Sequence, residues 1–482
     1  MNIPLLLLML SAPPSVEWTA LPSARITAVE NAGDVNGNGT DDIFAASLET
    51  YGNGIFCVSG LTGELIWHNP DVPGVYGPEC LRTIGDIDFD GVRDVAVGRA
   101  ATPSVTVLSG ATGEVVWSTL QSGPVWYVEA VQGPEPGDVM VFATVVSGSN
   151  MYVFLAMNGR TGQEVWSSPA LYTADSFIKV TELDADGNGW PEMGYSVDRG
   201  SAYSGYVMVR DGGTGQTIQS ASTMYFGTMD IGDTPSILAV SHFGIYPSMW
   251  VTRLACGTLL WSSDSDDLIF LNLQVIPTVS GYFPDILGWG GNQLTLIRGD
   301  DGYYQDQYAF TGDFIKSLAT YQEGSQWRLA LLTQYYFHCP LLVFSSPSTL
   351  PSLMLPNSGG SDLCLLESDL YPTPLAAVAM VSPGVGLCAI STSWPVGLFE
   401  ESAVEVQSLQ PVTLLSQPGR GGLLLFRGAA NSVLVLDISG RVVTTVGFSG
   451  GDQAVFLPLS PGVYHILDTD TGSSLRAAVI GE

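Results

Sequence analysis

"GDIDFDGVRDVAVG", residues 85–98, places four aspartates within nine positions and then turns apolar. The aspartates are Asp86, Asp88, Asp90 and Asp94. They occupy positions 1, 3, 5 and 9 of a loop in which Gly91 at position 6 allows a sharp turn and Val92 at position 7 offers its carbonyl oxygen. Calcium binds six to eight oxygen atoms, and this order supplies them from one short segment. The spacing therefore predicts a calcium-binding loop, and the alternative is an ordinary acidic turn.

The same pattern occurs in two further segments, "DVNGNGTDD" at residues 34–42 and "DADGNGWPE" at residues 184–192. The predicted ligands are Asp34, Asn36, Asn38, the Thr40 carbonyl and Asp42 in the first loop, and Asp184, Asp186, Asn188, the Trp190 carbonyl and Glu192 in the third. An EF-hand would need a glutamate at position 12, which all three loops lack. Each loop is instead followed by a short apolar run typical of a strand. We therefore predict up to three calcium ions that stabilise strand entrances, in preference to catalytic ions.

A second element repeats along the chain as "VSGLTGELIWHNP", "LSGATGEVVWSTL" and "MNGRTGQEVWSSP". With fainter copies it gives units of about 48 residues between residues 18 and 402, each with about four short strands, which are typical of the blades of a β-propeller. The prediction is an all-β fold with eight blades, or seven if one faint unit is not a sheet. Trp67, Trp117, Trp166 and Trp261 share one register and are predicted to pack between blades. "VEWTALPSA", residues 16–24, is predicted to close the ring by pairing with the final blade.

The acidic loops within blade-length units resemble FG-GAP repeats, as found in the propeller heads of integrin α-subunits and in secreted bacterial proteins. The "G-x-T-G-x-x-x-W" elements are also similar to PQQ-like propeller repeats. The resemblance implies the propeller fold and calcium in three units. The other units depart from the loop pattern, so it implies no metal there.

Beyond residue 402 the period ends, and "NSVLVLDISGRVVTTV" at residues 431–446 alternates apolar and polar residues. The segment 403–482 resembles the Ig-like C-terminal sorting domain (type A) of type IX secretion substrates. The matching residues are Asp437, Gly440, Arg441, Val442, Leu459, Gly462, Tyr464 and Arg476. The resemblance implies a Gram-negative bacterium, the secretion machinery as a partner, and a secreted or cell-surface protein. The alternative is a plain β-sandwich accessory module.

The N-terminus, "MNIPLLLLMLSAPPS" at residues 1–15, is predicted to be a secretory signal peptide, and the alternative is a buried first strand. No segment approaches the length of a transmembrane helix. Six cysteines suit an oxidising compartment. Cys57 and Cys80 are the first pair predicted to form a disulfide, and buried free thiols are the alternative.

The charge pattern and the missing motifs restrict the function. A net charge of -31 with 16 basic residues argues against nucleic acid as a partner. The sequence has no G-x-S-x-G, no C-x-x-C and no phosphate-binding loop. We predict a non-catalytic binding or adhesion module for an extracellular glycan or protein ligand. The alternative is a polysaccharide lyase or other propeller enzyme, for which Lys179 and Lys316 are the only lysines; a PQQ-dependent dehydrogenase ranks last.

Overall fold

The computed structural model divides into two compact units, residues 1–394 and 395–482. It describes residues 15–21, 23–51, 53–100, 104–135, 137–147, 151–169, 171–172, 178–180, 184, 187–198, 205–223, 227–233, 236–242, 248–253, 259–263, 270, 272–276, 284–290, 293–309, 314–323, 326–333, 336–338, 352–354, 360–368, 374–380, 386–391, 413–415, 423–427, 432–437, 442–447, 453–457, 462–468 and 474–479. Nearly all of the predicted signal peptide lies outside these residues.

The first unit consists of antiparallel sheets. After β1 (Ser15–Ala20), neighbouring strands pair in chain order. Sheet 1 contains β2 (Ile26–Gly33), β3 (Asp42–Ser47), β4 (Ile55–Val58) and β5 (Leu65–Asn69). Sheet 2 contains β6 (Leu81–Thr83), β7 (Val95–Arg99), β8 (Ser104–Leu108) and β9 (Val115–Leu120). Sheet 3 contains β10 (Val125–Gln132), β11 (Val139–Val146), β12 (Met151–Asn158), β13 (Glu164–Ser167) and the short β14 (Leu171–Tyr172). Sheet 4 contains β15 (Ile178–Val180), β16 (Glu192–Asp198), β17 (Gly205–Asp211) and β18 (Thr217–Thr223).

The remaining sheets of this unit repeat the plan. Sheet 5 contains β19 (Gly227–Asp233), β20 (Ser236–His242), β21 (Ser248–Arg253) and β22 (Leu259–Ser263). Sheet 6 contains β23 (Asn272–Ile276), β24 (Asp285–Gly290), β25 (Gln293–Ile297) and β26 (Tyr304–Ala309). Sheet 7 contains β27 (Ile315–Glu323), β28 (Gln326–Thr333), β29 (Tyr336–His338) and β30 (Ser352–Met354). Sheet 8 contains β31 (Gly360–Leu366), β32 (Leu375–Met380), β33 (Leu387–Ser391) and β1.

The N-terminal strand completes the last sheet. β1 runs antiparallel to β33, with Val16 opposite Ile390 and Ala20 opposite Leu387. The sequence prediction that residues 16–24 pair with the final sheet is therefore confirmed. This pairing covers the outer edge of β33, which would otherwise present unpaired backbone groups.

Each sheet buries apolar residues against the next. Phe44 of sheet 1 lies in one core cluster with Val97 of sheet 2, and Leu366 of sheet 8 lies in another with Ile43 of sheet 1. Further clusters join the successive sheets between them. The second strands are therefore covered on both faces, and every residue of β3 is buried. This double coverage explains why the runs after the acidic loops are continuously apolar.

The antiparallel pairing gives this unit two faces. The loop face carries the turn between the first and second strands of each sheet, which includes all three acidic loops, and the turn between the third and fourth strands. The entry face carries the starts of the first strands and the segments that lead to them, such as the 3-10 turn Pro78–Cys80.

The described residues of the second unit form two antiparallel sheets. One contains β34 (Thr413–Leu415), β35 (Leu423–Arg427) and β38 (Gln453–Leu457). The other contains β37 (Val442–Gly447), β36 (Ser432–Asp437), β39 (Gly462–Asp468) and β40 (Ser474–Val479). Within the described parts of the chain, we find no helix with the length and apolar character needed to cross a membrane.

Candidate functional site

The three acidic loops have a left-handed backbone at the same two positions. Position 6 has a left-handed φ in each loop, at Gly39, Gly91 and Gly189. Position 4 is left-handed as well: it is a glycine in the first and third loops and Phe89, with a φ of 64°, in the second. Glycine adopts this conformation without steric cost, whereas other residues rarely do. The loops therefore turn in the same way at positions 4 and 6.

The position 1 aspartate organises each loop through backbone amides. In the second loop Asp86 accepts hydrogen bonds from the amides of Phe89 at 2.7 Å and Gly91 at 3.0 Å. Asp34 accepts from the amides of Asn38 and Gly39, and Asp184 accepts from those of Gly187, Asn188 and Gly189. These bonds hold the loops in shape, and an oxygen that accepts one amide retains a second lone pair for a cation.

The side chain at position 5 forms a hydrogen bond that links each loop to the turn between the third and fourth strands of its sheet. Asp90 accepts from the amide of Val92 at 2.9 Å and from the hydroxyl of Ser109 at 3.2 Å. Asn38 likewise accepts from the amide of Thr40 and donates to Ser59, and Asn188 accepts from the amide of Trp190 and donates to Asp211. The sequence predicted only a ligand role at this position and did not reveal its hydrogen bond to the neighbouring turn.

The position 9 aspartate joins the loop to the same turn from the buried side. Asp94 is fully buried and accepts from the amides of Ile87 at 2.8 Å and Gly110 at 2.9 Å. Asp42 makes the corresponding bonds to the amides of Asn36 and Gly60. The third loop carries the buried Glu192 at this position. Position 9 is therefore a structural link whether or not a cation is bound.

Three carboxylates converge in the second loop. One oxygen each of Asp86, Asp88 and Asp94 lies within 4.8 Å of the others. Burial is the main cause that raises the pKa of Asp94 to about 6; the charges of Asp88 and Asp90 contribute, and two amide hydrogen bonds oppose the rise. Such crowding of like charges fits an oxygen-ligated divalent cation. In the first loop burial also raises the pKa of Asp42, with Asp34 contributing. Asp186, the position 3 ligand of the third loop, lies outside the described residues.

A tryptophan from the preceding sheet fastens each of these turns. The indole nitrogen of Trp67 in β5 donates to the Gly110 carbonyl oxygen in sheet 2 at 2.7 Å. Equivalent bonds join Trp18 to Gly60, Trp117 to Gly159, Trp166 to Gly212 and Trp261 to Gly299. The prediction that the repeated tryptophans pack between sheets is confirmed. Trp18 belongs to β1, so the same contact also joins sheet 8 to sheet 1.

A cavity of about 590 Å³ lies among the first strands of the sheets. Its charged lining residues are Glu30, Glu79, Arg82, Glu129, Asp230, Lys316 and Asp362. Leu273, Trp289 and Leu363 supply apolar wall. These residues come mainly from the first strands of sheets 1, 2, 3, 5, 6, 7 and 8, while Trp289 lies in β24 and Glu79 in the 3-10 turn before β6. Sequence reasoning missed this site, because each strand contributes only one to three residues to it.

Arg82 forms the centre of a charged network in the cavity wall. Its guanidinium pairs with Glu30 of β2 and, at 2.7 Å, with Glu129 of β10, so it joins three neighbouring sheets. Burial opposes its charge, but the two glutamates more than offset this and raise the pKa of Arg82 well above its usual value. Burial also raises the pKa of Glu30, against the attraction of Arg82. The network therefore holds two carboxylates and one guanidinium in a recessed position.

Asp362 is a second buried acid of the cavity. Its carboxylate accepts hydrogen bonds from the Val29 amide at 3.1 Å and from the Ser317 hydroxyl at 3.2 Å. Burial raises the pKa of Asp362 to about 7, with Glu30 adding to the effect and Arg82 opposing it. Of the two lysines in the chain, Lys316 lines the cavity, and the side chain of Lys179 lies outside the described residues.

The predicted Cys57–Cys80 disulfide is wrong. Both thiols are free and buried in one apolar cluster between sheets 1 and 2. Burial raises the pKa of Cys80 to about 12 and that of Cys57 further, so neither is a reactive thiolate. Cys364 and Cys388 are also free, while Cys256 and Cys339 lie outside the described residues. Buried thiols of this kind act as small apolar side chains.

The chain has no matching family model and no match among curated proteins. The chain is similar to several solved structures, which include a propeller and a WD40 domain. The computationally designed Ika8 protein matches with a TM-score of 0.54 and 13% identity, over 78% of this chain and 99% of that one. The Dos1 propeller matches with a TM-score of 0.54 and 11% identity, over 79% and 96%. The C-terminal WD40 domain of Sif2 gives a TM-score of 0.50 and 11% identity, over 79% and 98%.

These similarities show the fold alone, because identities of 11–13% carry no information about ligands or activity. The chain contains a β-propeller. The predicted propeller fold is confirmed, whereas the resemblance to FG-GAP repeats and to the sorting domain stays a prediction.

Proposed function

We propose that this chain is a secreted or cell-surface β-propeller of eight blades, stabilised by calcium, that acts as a non-catalytic binding or adhesion module for an extracellular glycan or protein. Each of the eight sheets that the described residues of the first unit form is taken as one blade. The FG-GAP-like loops would hold the ions. The second unit would be the Ig-like sorting domain that directs export from a Gram-negative bacterium.

One observation carries the calcium proposal: the convergence of Asp86, Asp88 and Asp94 within 4.8 Å. Asp86 and Asp94 each accept two backbone amides, so they are fixed in place before any ion arrives. The loop is therefore preorganised, and a cation would relieve the repulsion among its carboxylates. The first and third loops support the proposal through the same left-handed glycine positions.

Calcium titration of the purified mature protein tests this role. Isothermal titration calorimetry after chelator dialysis should show saturable binding, and calcium should raise the melting temperature, because a ligand at about 100 times its Kd adds about 2.7 kcal/mol to stability. Asp88→Asn removes one charge and retains an acceptor for the Asp90 amide. We expect it to reduce the calcium-dependent rise. In chelator the melting temperature should stay the same or increase, because one of the repelling charges is removed.

Asp71→Asn is the matched control, because Asp71 is exposed and lies outside the loops. It should behave as the wild type with and without calcium. A melting temperature that does not respond to calcium in the wild-type protein would contradict the proposal.

Binding to an extracellular ligand is tested on glycan and matrix-protein arrays, with calcium and with chelator. Retention without chemical change supports a binding module. The second candidate, a polysaccharide lyase, has the cations Arg82 and Lys316 in the cavity in its favour. Five carboxylates in the same cavity would repel an acidic polysaccharide. An unsaturated sugar product, detected by mass spectrometry, would establish the enzyme and overturn the binding module.

A further inference from the structure

One residue of the second acidic loop departs from the pattern of the other two loops. Position 4 has a left-handed φ in all three, but it is Gly37 in the first loop, Gly187 in the third and Phe89 in the second. Glycine adopts this conformation freely, whereas a phenylalanine is strained in it. Strain of this kind persists only where the surrounding structure holds the residue in place. The contacts of the Phe89 side chain therefore matter for the shape of the loop.

The Phe89 ring is held by two turns of the neighbouring sheet 3. The guanidinium carbon of Arg160, in the turn between β12 and β13, lies 4.5 Å from the centre of the ring. The Nε of Arg160 also donates to the carbonyl oxygen of Gly137, in the turn between β10 and β11, at 2.8 Å. A Cβ on Gly137 would lie 2.9 Å from the ring, so glycine makes room for it. A cation–π contact and close packing thus hold the ring against sheet 3.

The backbone conformation of Phe89 determines how the predicted calcium ligands are arranged. Phe89 lies between the ligands Asp88 and Asp90, so its φ and ψ set the relative directions of their side chains. Its amide donates to a third ligand, Asp86, at 2.7 Å. Without the contact to Arg160 the strain would no longer be offset, and the left-handed conformation would be less populated. Calcium affinity falls in proportion to the population of the binding-competent conformation.

We propose that Arg160 is a positioning residue for the calcium site of the second loop, and that it acts through Phe89. This inference rests on the proposed calcium role and adds to that site a residue from the neighbouring sheet. The charge of Arg160 alone predicts the opposite effect, because a guanidinium near the loop repels a cation. The direction in which calcium affinity changes therefore distinguishes positioning from charge.

Isothermal titration calorimetry of the full mature chain with calcium tests the proposal. Arg160→Gln should weaken calcium binding by about two- to fivefold, which corresponds to the loss of one exposed cation–π contact. Phe89→Ala removes the ring and keeps the strain, so it should weaken calcium binding at least as much. Phe89→Gly removes the ring and the strain together, and it should bind calcium more tightly than Phe89→Ala does.

Two double variants assign the effect to Phe89 and to the second loop. Arg160→Gln should cause no further weakening in the Phe89→Gly background, because glycine needs no support at position 4. In the Asp88→Asn background it should reduce the calcium-dependent rise in melting temperature no further. Arg298→Gln is the matched control, because Arg298 lies in the corresponding turn of sheet 6, 5.7 Å from the Tyr303 ring. It should leave calcium binding unchanged.

The proposal is overturned if Arg160→Gln leaves calcium affinity unchanged or raises it, or if it weakens binding equally in the Phe89→Gly background. A purely structural role of Arg160 would lower the melting temperature in chelator without changing calcium affinity, and it would overturn the proposal too. Failure of the proposed function gives a different result, since the wild type itself would then show no calcium binding. If the proposal alone fails, the wild type and Asp88→Asn still differ in their response to calcium.

Discussion

The indole nitrogen of Trp67 donates a 2.7 Å hydrogen bond to the carbonyl oxygen of Gly110, whose own amide donates to Asp94 at 2.9 Å. The outermost strand of sheet 1 is thereby connected, through one turn residue, to the acidic loop of sheet 2. The same chain of contacts joins Trp18 to Asp42 through Gly60, and Trp261 to Asp285 through Gly299. Asp285 retains this role in a repeat whose loop has lost the rest of the acidic pattern. The acidic residue at position 9 therefore stabilises the fold, whether or not it also binds an ion.

Trp67→Phe tests this link. The substitution keeps most of the apolar area and leaves the buried Gly110 carbonyl without its donor, so we expect a loss of about 1–3 kcal/mol in the free energy of unfolding. Urea denaturation measures the loss. Trp126→Phe is the control, because Trp126 is 39% exposed and lies outside the series, and it should cost less. Equal losses of stability for the two variants would contradict a stabilising role of the hydrogen bond from Trp67 to Gly110.

Two turn glycines allow the cost of a steric clash to be measured apart from the cost of backbone strain. A Cβ on Gly110 would lie 1.8 Å from the Arg93 carbonyl oxygen, which cannot move without displacing the loop. A Cβ on Gly37 meets nothing within 4 Å, although its φ is +72°. We expect Gly37→Ala to cost about 1 kcal/mol in stability from strain alone, and Gly110→Ala to cost clearly more or to prevent folding. Chemical denaturation ranks them, and the reverse order would contradict the close approach of Gly110 to Arg93.

The loops are expected to differ in calcium affinity according to their carboxylates. The predicted ligands include two carboxylates in the first loop, four in the second and three in the third. Asp90→Ala should therefore lower the chelator-sensitive part of the melting temperature more than Asn38→Ala does. Both substitutions also remove one hydrogen bond to a serine, Ser109 or Ser59, so the structural cost apart from calcium binding is matched. Equal chelator-sensitive losses would eliminate this ranking.

Local patterns in the sequence predicted much of this fold. The acidic spacing located the strands that follow the loops, and the tryptophan register located the contacts between sheets, because each signal lies within one repeat. The pairing of β1 with β33 was predictable because Trp18 carries the same signal at the start of the chain. The Cys57–Cys80 prediction failed because a buried cysteine in a strand looks the same in sequence whether it is bonded or only packed.

The cavity could not be predicted in the same way. Glu30 and Asp362 are 332 positions apart in the sequence, and they meet only because the sheets form a ring. Arg82 precedes its acidic loop by the same number of residues as Glu30 does in the first repeat, so a repeat alignment places them in one layer. This alignment was the signal available in the sequence. It does not show which charged residues form ion pairs, which only the structure reveals. Charges on inner strands of a repeat thus indicate cavity residues only after the fold is known.

The pH dependence of stability reports on the buried acid Asp362. The pKa of Asp362 is about 7 in the folded chain, against about 3.9 for an aspartate in an unfolded chain. Between these values the folded state binds more protons than the unfolded state, so stability falls as the pH rises through this window. Asp362→Asn removes this contribution. The variant should lose less stability than the wild type between pH 5.5 and pH 8.5, when urea midpoints are compared in chelator. Glu30 and Arg82 face the same cavity and are present in both proteins, so the difference isolates Asp362. Parallel pH profiles would show that Asp362 is ionised throughout, and that its burial is offset by contacts beyond those of Val29 and Ser317.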